Sequence, residues 1–234
     1  MATLDFVTLE RWSSNNRYQV EQVSFADGTV WDIRGFEPPG PTEGADILYG
    51  ISGDDVIDGL DGDDVIYGLG GNDILKGSDG NDTLYGGADD DMLAGGPGDD
   101  TLLGDAGDDT YHFNLGSGQD TIYEHDDTAG NTDTIQFGED IAKEDIAISQ
   151  NGSNLQIDYG NGDIVTIQNQ SDSANAVEQV ETNGGYYLTN EDINTIIQDM
   201  TAFANDNGIP FSNIDDVKGN EGLMNIVANS WKST

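Results

Sequence analysis

The sequence contains no cysteine. That excludes disulfide staples, thiolate nucleophiles and cysteine-bound zinc. Basic residues are almost as scarce: Lys and Arg total 7 against 46 Asp and Glu, a formal charge of −39 over 234 residues. So large a negative charge repels nucleic acid and anionic membrane surfaces, and it calls for cations. No apolar run approaches the ~18 residues of a membrane-spanning helix. The N-terminus lacks the basic and apolar segments of a signal peptide, so any export is expected to use another route than the cleaved N-terminal one. The two histidines, His112 and His125, form no H-E-x-x-H, and no G-x-S-x-G elbow occurs. Carboxylate pairs such as Asp54-Asp55 and Asp63-Asp64 lie in glycine-rich loops, not in an apolar cleft that could split their pKa values.

Glycine is what the chain has in excess, 32 residues, roughly twice the usual share. It recurs in phase with aspartate. Asp46, Asp55, Asp64, Asp73, Asp82, Asp91, Asp100 and Asp109 follow one another at a spacing of nine without a slip. Two residues after each stands a large apolar side chain: Leu48, Ile57, Ile66, Leu75, Leu84, Leu93, Leu102 and Tyr111. Two residues before stand Gly44, Gly53, Gly62, Gly71, Gly80, Gly98 and Gly107, with Asp89 as the exception. Each following unit opens with Gly50, Gly59, Gly68, Gly77, Gly86, Gly95 or Gly104.

The spacing has a physical reading. Glycine supplies positive-φ turns, and the x-U-x that follows Asp is a short strand with its central side chain pointing inward. One nine-residue unit cannot bury that side chain alone. Two units make an 18-residue coil, with two short parallel sheets and turns along both edges; stacked coils share a thin aliphatic core. Asp46, Asp64, Asp82 and Asp100 then form one column, and Asp55, Asp73, Asp91 and Asp109 the other. Stacked strands lie ~4.8 Å apart, so neighbouring carboxylates are within reach of one bridging ion. Residues 41–127 carry 23 acids and one base, Lys76, a net of −22. A hard cation with six to eight oxygen ligands suits loops offering carboxylates and carbonyls, and calcium matches better than the geometrically stricter magnesium. Without that cation the composition is that of a disordered acidic linker.

The pattern resembles the RTX nonapeptide repeat, G-G-x-G-x-D-x-U-x, with its best copy at Gly95-Gly96-Pro97-Gly98-Asp99-Asp100-Thr101-Leu102-Leu103. The resemblance covers residues 41–112, with a degenerate extension around Asp120 in Gly116-Ser117-Gly118-Gln119-Asp120-Thr121-Ile122. It implies an all-β fold: a right-handed parallel β-roll of 18-residue coils. In that roll, calcium sits between same-edge loops, held by the Asp side chains and alternate loop carbonyls. The glycines two residues before each Asp and Asp120 belong to the implied site. Four repeats on each edge leave three gaps, hence about six ions in the block. Asp89, standing where glycine is usual, requires a backbone that aspartate adopts only occasionally.

The flanks echo one another. Strands are expected over 4–9, 18–25 and 29–31, with a turn at Asp27-Gly28. Val20-Glu21-Gln22-Val23 returns as Val177-Glu178-Gln179-Val180, and Phe6-Val7-Thr8-Leu9 is answered by Ile164-Val165-Thr166-Ile167. Such modules suit the open ends of a solenoid, which otherwise expose core and strand edges. Thr189 and Asp192 resemble a helix cap pair, and Ile193, Ile196, Ile197 and Met200 share one face of a helix over 190–207 that Gly208 and Pro210 end. A second helix is expected from about Glu221 to Trp231. The expected domains are therefore 1–40, an N-terminal strand module; 41–127, the calcium-binding roll; 128–189, a second strand module; and 190–234, a helical hairpin. In RTX proteins a non-cleaved type I secretion signal occupies that last stretch. The resemblance thus implies a non-catalytic calcium-binding module of a larger exported adhesin, toxin or hydrolase, secreted or at the bacterial surface. Its implied partners are calcium, a type I secretion machinery and upstream domains, with no nucleic acid and no stable membrane insertion. A carbohydrate-binding module is the alternative, with Trp12, Trp31, Trp231, Tyr186 and Tyr187 as the aromatic residues that could line a sugar site. Against it, the roll offers no basic stripe for an acidic glycan.

Overall fold

A computed structural model describes residues 7–9, 22–25 and 30–32 of the N-terminal stretch, the latter as strand backbone, and then 41–126, 130–172 and 175–233. The chain divides into two units, Met1–Gly40 and Pro41–Thr234. In the first, β1 (Val7–Leu9), β2 (Gln22–Phe25) and β3 (Val30–Asp32) form an antiparallel sheet in the order β1-β2-β3. The expected strand starts at 4–6 and 18–21, and the Asp27-Gly28 turn, lie outside the described residues.

The second unit is a parallel β-roll. Its strands alternate between two sheets. β4 (Ile47–Tyr49), β6 (Val65–Gly70), β8 (Thr83–Ala88), β10 (Thr101–Ala106) and β12 (Gln119–Ile122) line one side. β5 (Val56–Asp58), β7 (Ile74–Lys76), β9 (Met92–Ala94), β11 (Thr110–Phe113) and β13 (Thr134–Phe137) line the other. Register is strict: Leu48 pairs with Ile66, Ile66 with Leu84, and Ile57 with Leu75. A short strand buries only its middle residue, so from β4 to β10 the core is one large apolar side chain per strand; β11 and β13 each bury two, Tyr111 with Phe113 and Ile135 with Phe137. Ile66, Leu75, Leu84, Leu93, Leu102 and Tyr111 are fully buried, whereas Leu48 and Ile57 of the first coil are partly exposed.

Beyond the repeats the sheets continue and then reverse. β14 (Ala147–Asn151), β15 (Asn154–Gly160) and β16 (Asp163–Ile167) extend the first sheet; β16 runs parallel to β12, and β15 and β14 follow antiparallel. β17 (Gln179–Thr182) runs parallel to β13 in the second sheet, with β18 (Tyr186–Thr189) antiparallel to it. The two flanks, alike in sequence, diverge here. β1 pairs with β2, but the answering β16 and β17 lie in different sheets.

Three helices pack on this end. α1 (Asn190–Asn207) starts at a capping box formed by Thr189 and Asp192 and stops at Gly208, whose φ of 62° is left-handed. Ile193, Ile196 and Met200 are its buried face. α2 (Ile214–Lys218), a five-residue helix capped by Asn213, had no counterpart in the sequence pattern. α3 (Glu221–Ser230) ends one residue early: Trp231 takes an extended backbone, and β19 (Lys232–Ser233) joins β18. No helix among the described residues is long and apolar enough to cross a membrane.

Candidate metal centre

The nine-residue phase lines the aspartates up in two columns, one along each edge of the roll. Each carboxylate reaches back one coil. Asp64 Oδ1 accepts from the Asp46 amide at 2.7 Å, Asp82 from Asp64 at 2.8 Å, and Asp100 from Asp82 at 2.8 Å. The other edge repeats this through Asp73, Asp91 and Asp109, which accept from the amides of Asp55, Asp73 and Asp91 at 2.7, 2.8 and 2.8 Å. One oxygen of each side chain is thus committed to a backbone N–H that has left water.

The second oxygen is not. Oδ2 of Asp64, Asp73, Asp82, Asp91, Asp100 and Asp109 is buried without a hydrogen-bond partner, and none of these residues is more than 3% exposed. A buried carboxylate oxygen without a donor costs free energy on the order of a few kcal/mol, more when charged. The cost recurs at the same position in consecutive coils, so the site is built for something other than a hydrogen bond.

The space in front of each orphaned oxygen is kept open by glycine. A Cβ on Gly59 would collide with Asp64 Oδ2 and come within 2.8 Å of the Gly77 carbonyl oxygen. On Gly77 it would collide with Asp82 Oδ2 and come within 2.6 Å of the Gly95 oxygen; on Gly68 and Gly86 it would meet the equivalent pairs, Asp73 with Gly86 and Asp91 with Gly104. Each of these four cradles therefore gathers one carboxylate oxygen and one carbonyl oxygen from the next coil around a methyl-sized volume; Gly95 and Gly104 leave the same room beside Asp100 Oδ2 and Asp109 Oδ2. An all-oxygen donor set of this kind fits a hard divalent cation, calcium above all.

The glycines two residues before each Asp stand elsewhere. Gly62, Gly71, Gly80, Gly98 and Gly107 have φ values from 98 to 150°, and a side chain on any of them would run into the backbone of the preceding coil. Gly44 and Gly53, with no coil beneath them, would meet nothing. Without side chains they let the loops stack. Asp89 adopts φ 76°, the positive-φ backbone that its place demands.

The columns end differently. At the N-terminal end of the roll, Asp46 Oδ2 accepts from the Thr42 amide at 2.6 Å and the Thr42 hydroxyl at 2.9 Å, and Asp55 Oδ2 accepts from the Ile51 amide at 2.6 Å. At the far end of the first column, Asp120 accepts from the Asp100 amide at 3.0 Å and from the Tyr159 hydroxyl at 3.4 Å. The second column runs on past the nonapeptides. Asp133 Oδ1 accepts from the Asp109 amide at 2.9 Å, and Glu178 Oε2 from the Asp133 amide at 3.0 Å. Insertions break the period there. The surviving signal is the triplet Asp-Thr-apolar, seen at Asp82, Asp100, Asp109 and Asp120 and again at Asp133-Thr134-Ile135.

Burial acts on the charges. Loss of water, reinforced by neighbouring carboxylates, pushes Asp82 up to about 6, Asp91 to about 7, Asp100 to about 8 and Asp109 to about 7. Asp64 and Asp73, nearer the N-terminal end of the roll, are raised for the same reason. Without a cation Asp91, Asp100 and Asp109 hold protons near neutrality; with one, the protons must leave.

The fold and its oxygen cradles define a calcium-binding β-roll. Residues 42–75, 67–102, 76–111 and 85–122 match the RTX calcium-binding nonapeptide repeat, and residues 2–34 match the haemolysin-type calcium binding protein related domain. Residues 42–122 are an RTX module, of the kind carried by type I secreted proteins. A search of curated proteins found no match. Among solved structures, the extracellular lipase LipA from Serratia marcescens is similar at 18% identity and a TM-score of 0.25, over 54% of this chain. The chain spans 36% of that lipase's length.

Proposed function

We propose that this chain is a non-catalytic calcium-dependent folding module that supports export of a larger protein. The observation that carries the reading is the row of buried, unpartnered Asp Oδ2 atoms, three on each edge. We assign about one calcium ion to each, six in the repeat block. Where calcium is scarce, repulsion along the columns and a core one residue thick keep the chain unfolded and threadable through a secretion channel. Outside the cell, calcium at the ~10⁻⁴ to 10⁻³ M affinity of extracellular modules neutralises the columns, and binding energy becomes folding energy. Residues 190–234 act as the non-cleaved type I signal, and the strand modules at 1–40 and 128–189 protect the ends of the roll.

Far-UV circular dichroism from chelator to ~10 mM calcium, with magnesium as control, tests the switch. A cooperative coil-to-β transition in calcium alone is expected. A chain already folded in chelator would refute it. For the signal, removing residues 190–234 from a carrier fusion should stop its export through a type I machine; undiminished export would remove that role.

A further inference from the structure

We propose that the last of the repeat block's calcium ions, the one assigned to Asp109 Oδ2, is shared by Asp109, Glu124 and Asp133 at the end of the second Asp column. Two of these residues lie beyond the eight in-phase repeats. The inference rests on the calcium reading of the roll and gives that ion a ligand set of different make-up.

One carboxylate oxygen from each of the three lies within 4.8 Å of the others, and all three residues are buried, at 0, 3 and 0% exposure. The cluster does not stand on acidity alone. Asp109 Oδ2 is among the buried oxygens that have no hydrogen-bond partner. The remaining oxygens are held in place. Asp109 Oδ1 accepts from the Asp91 amide, and Asp133 Oδ1 from the Asp109 amide at 2.9 Å. Asn131 donates to Asp133 Oδ2 at 3.3 Å. Glu124 Oε1 accepts from the His125 amide at 2.8 Å.

Tyr111 defines the charge state of Glu124. Its hydroxyl oxygen accepts from the Gly104 amide at 2.8 Å, so its single proton is free to point at Glu124 Oε2, its other partner. Glu124 then accepts at both oxygens, as an anion does. No Lys or Arg occurs between Lys76 and Lys143. Lys143, Lys218 and Lys232 are engaged with Glu144, Asp158 and Asp192. Among the described residues no lysine or arginine pairs with the three buried carboxylates, and a bound cation would balance them. The three oxygens, all within 4.8 Å of one another, are close enough to share one ion, and an all-oxygen carboxylate set suits a hard divalent cation such as calcium.

The other column supplies the contrast. Asp120 is closed by the Tyr159 hydroxyl, and Asp163, beside it, accepts from the amides of Gly116 and Gly118 at 2.7 and 3.1 Å. That end is satisfied by the protein's own donors. Among the described residues, only the Asp109 end combines an orphaned oxygen with two further side-chain carboxylates.

The test compares the full chain with Glu124→Gln and Asp133→Asn, counting bound calcium by equilibrium dialysis and titrating terbium with excitation through tyrosine. Each variant should bind one ion fewer and lose the terbium emission sensitised by Tyr111, while keeping the calcium-driven β transition. Unchanged ion count and emission in both variants would overturn the site and leave the repeat reading intact. No calcium on the wild-type chain would overturn both. Should the variants fail to fold, crystals of the wild type grown in calcium decide: anomalous density between Asp109, Glu124 and Asp133 is expected, and its absence with ions present in the repeats overturns the site.

Discussion

Asp82 separates the two tasks of a column aspartate, because each belongs to a different oxygen. Oδ1 satisfies the Asp64 amide at 2.8 Å, and Oδ2 faces the cradle closed by Gly77. Asp82→Asn keeps an oxygen for the amide and removes the anion. Its cost is the loss of one ion. At ~10 mM calcium and a site affinity of ~10⁻⁴ M, the ion stabilises the fold by about 2.7 kcal/mol. Asp82→Ala removes both tasks. It adds the cost of a buried amide without a partner, about 1–3 kcal/mol, for a total of about 4–6 kcal/mol. Urea unfolding followed by circular dichroism at several calcium concentrations measures both. The dependence of stability on the logarithm of calcium concentration should fall by one ion in each variant, with Ala lying below Asn at every concentration. An Asn variant with the wild-type calcium dependence would refute the assignment of Oδ2 to a cation. Equal stabilities for Asn and Ala would refute the assignment of Oδ1 to the amide.

Three further outcomes follow from the same geometry. Gly77→Ala puts a methyl group against Asp82 Oδ2 and the Gly95 oxygen, whereas Gly53→Ala meets no atom within 4 Å; the first should raise the calcium midpoint about tenfold and the second leave it nearly unchanged in the same titration. Leu84→Ala empties the core of one coil between Ile66 and Leu102 and should cost about 2–5 kcal/mol in urea unfolding with calcium present; a loss under about 1 kcal/mol would mean that neighbouring coils close the gap. In chelator, the raised carboxyls of Asp82, Asp91, Asp100 and Asp109 make the folded chain bind protons that the unfolded chain releases near pH ~4. Stability of the cation-free fold therefore falls as pH rises from about 4 to about 8, and circular dichroism in chelator should show more β-structure at pH ~5 than at pH ~8; the reverse order would contradict the burial of these groups.

The coils were legible because the sequence repeats the same geometric demand at every turn. A strict period of nine places Asp, glycine and the apolar residue in fixed relation to the backbone, and stacking transmits that relation from coil to coil. Legibility ends where partners come from afar. Tyr159 closes Asp120 across 39 residues, and Glu178 serves Asp133 across 45, distances at which spacing carries no information. The division of labour between glycines also escaped the pattern. Both kinds recur every nine residues, but one keeps the cradles open while the other lets the backbones stack. At the tail, the Thr189–Asp192 cap was readable as a local contact. The five-residue α2 and the departure of Trp231 from α3 were not, since packing against the sheet end decides both.

Alternation between two sheets restricts how such a chain can change length. Consecutive nine-residue units lie on opposite sides of the roll, and each strand pairs with those two units away. Removing one unit keeps that rule for every remaining strand, but it carries all later strands, and the differently finished ends of the two columns with them, to the opposite side relative to the first coil. Removing two units restores the sides as well, with one coil fewer. A change of eighteen residues therefore preserves which side of the roll each column end occupies, whereas a change of nine exchanges them.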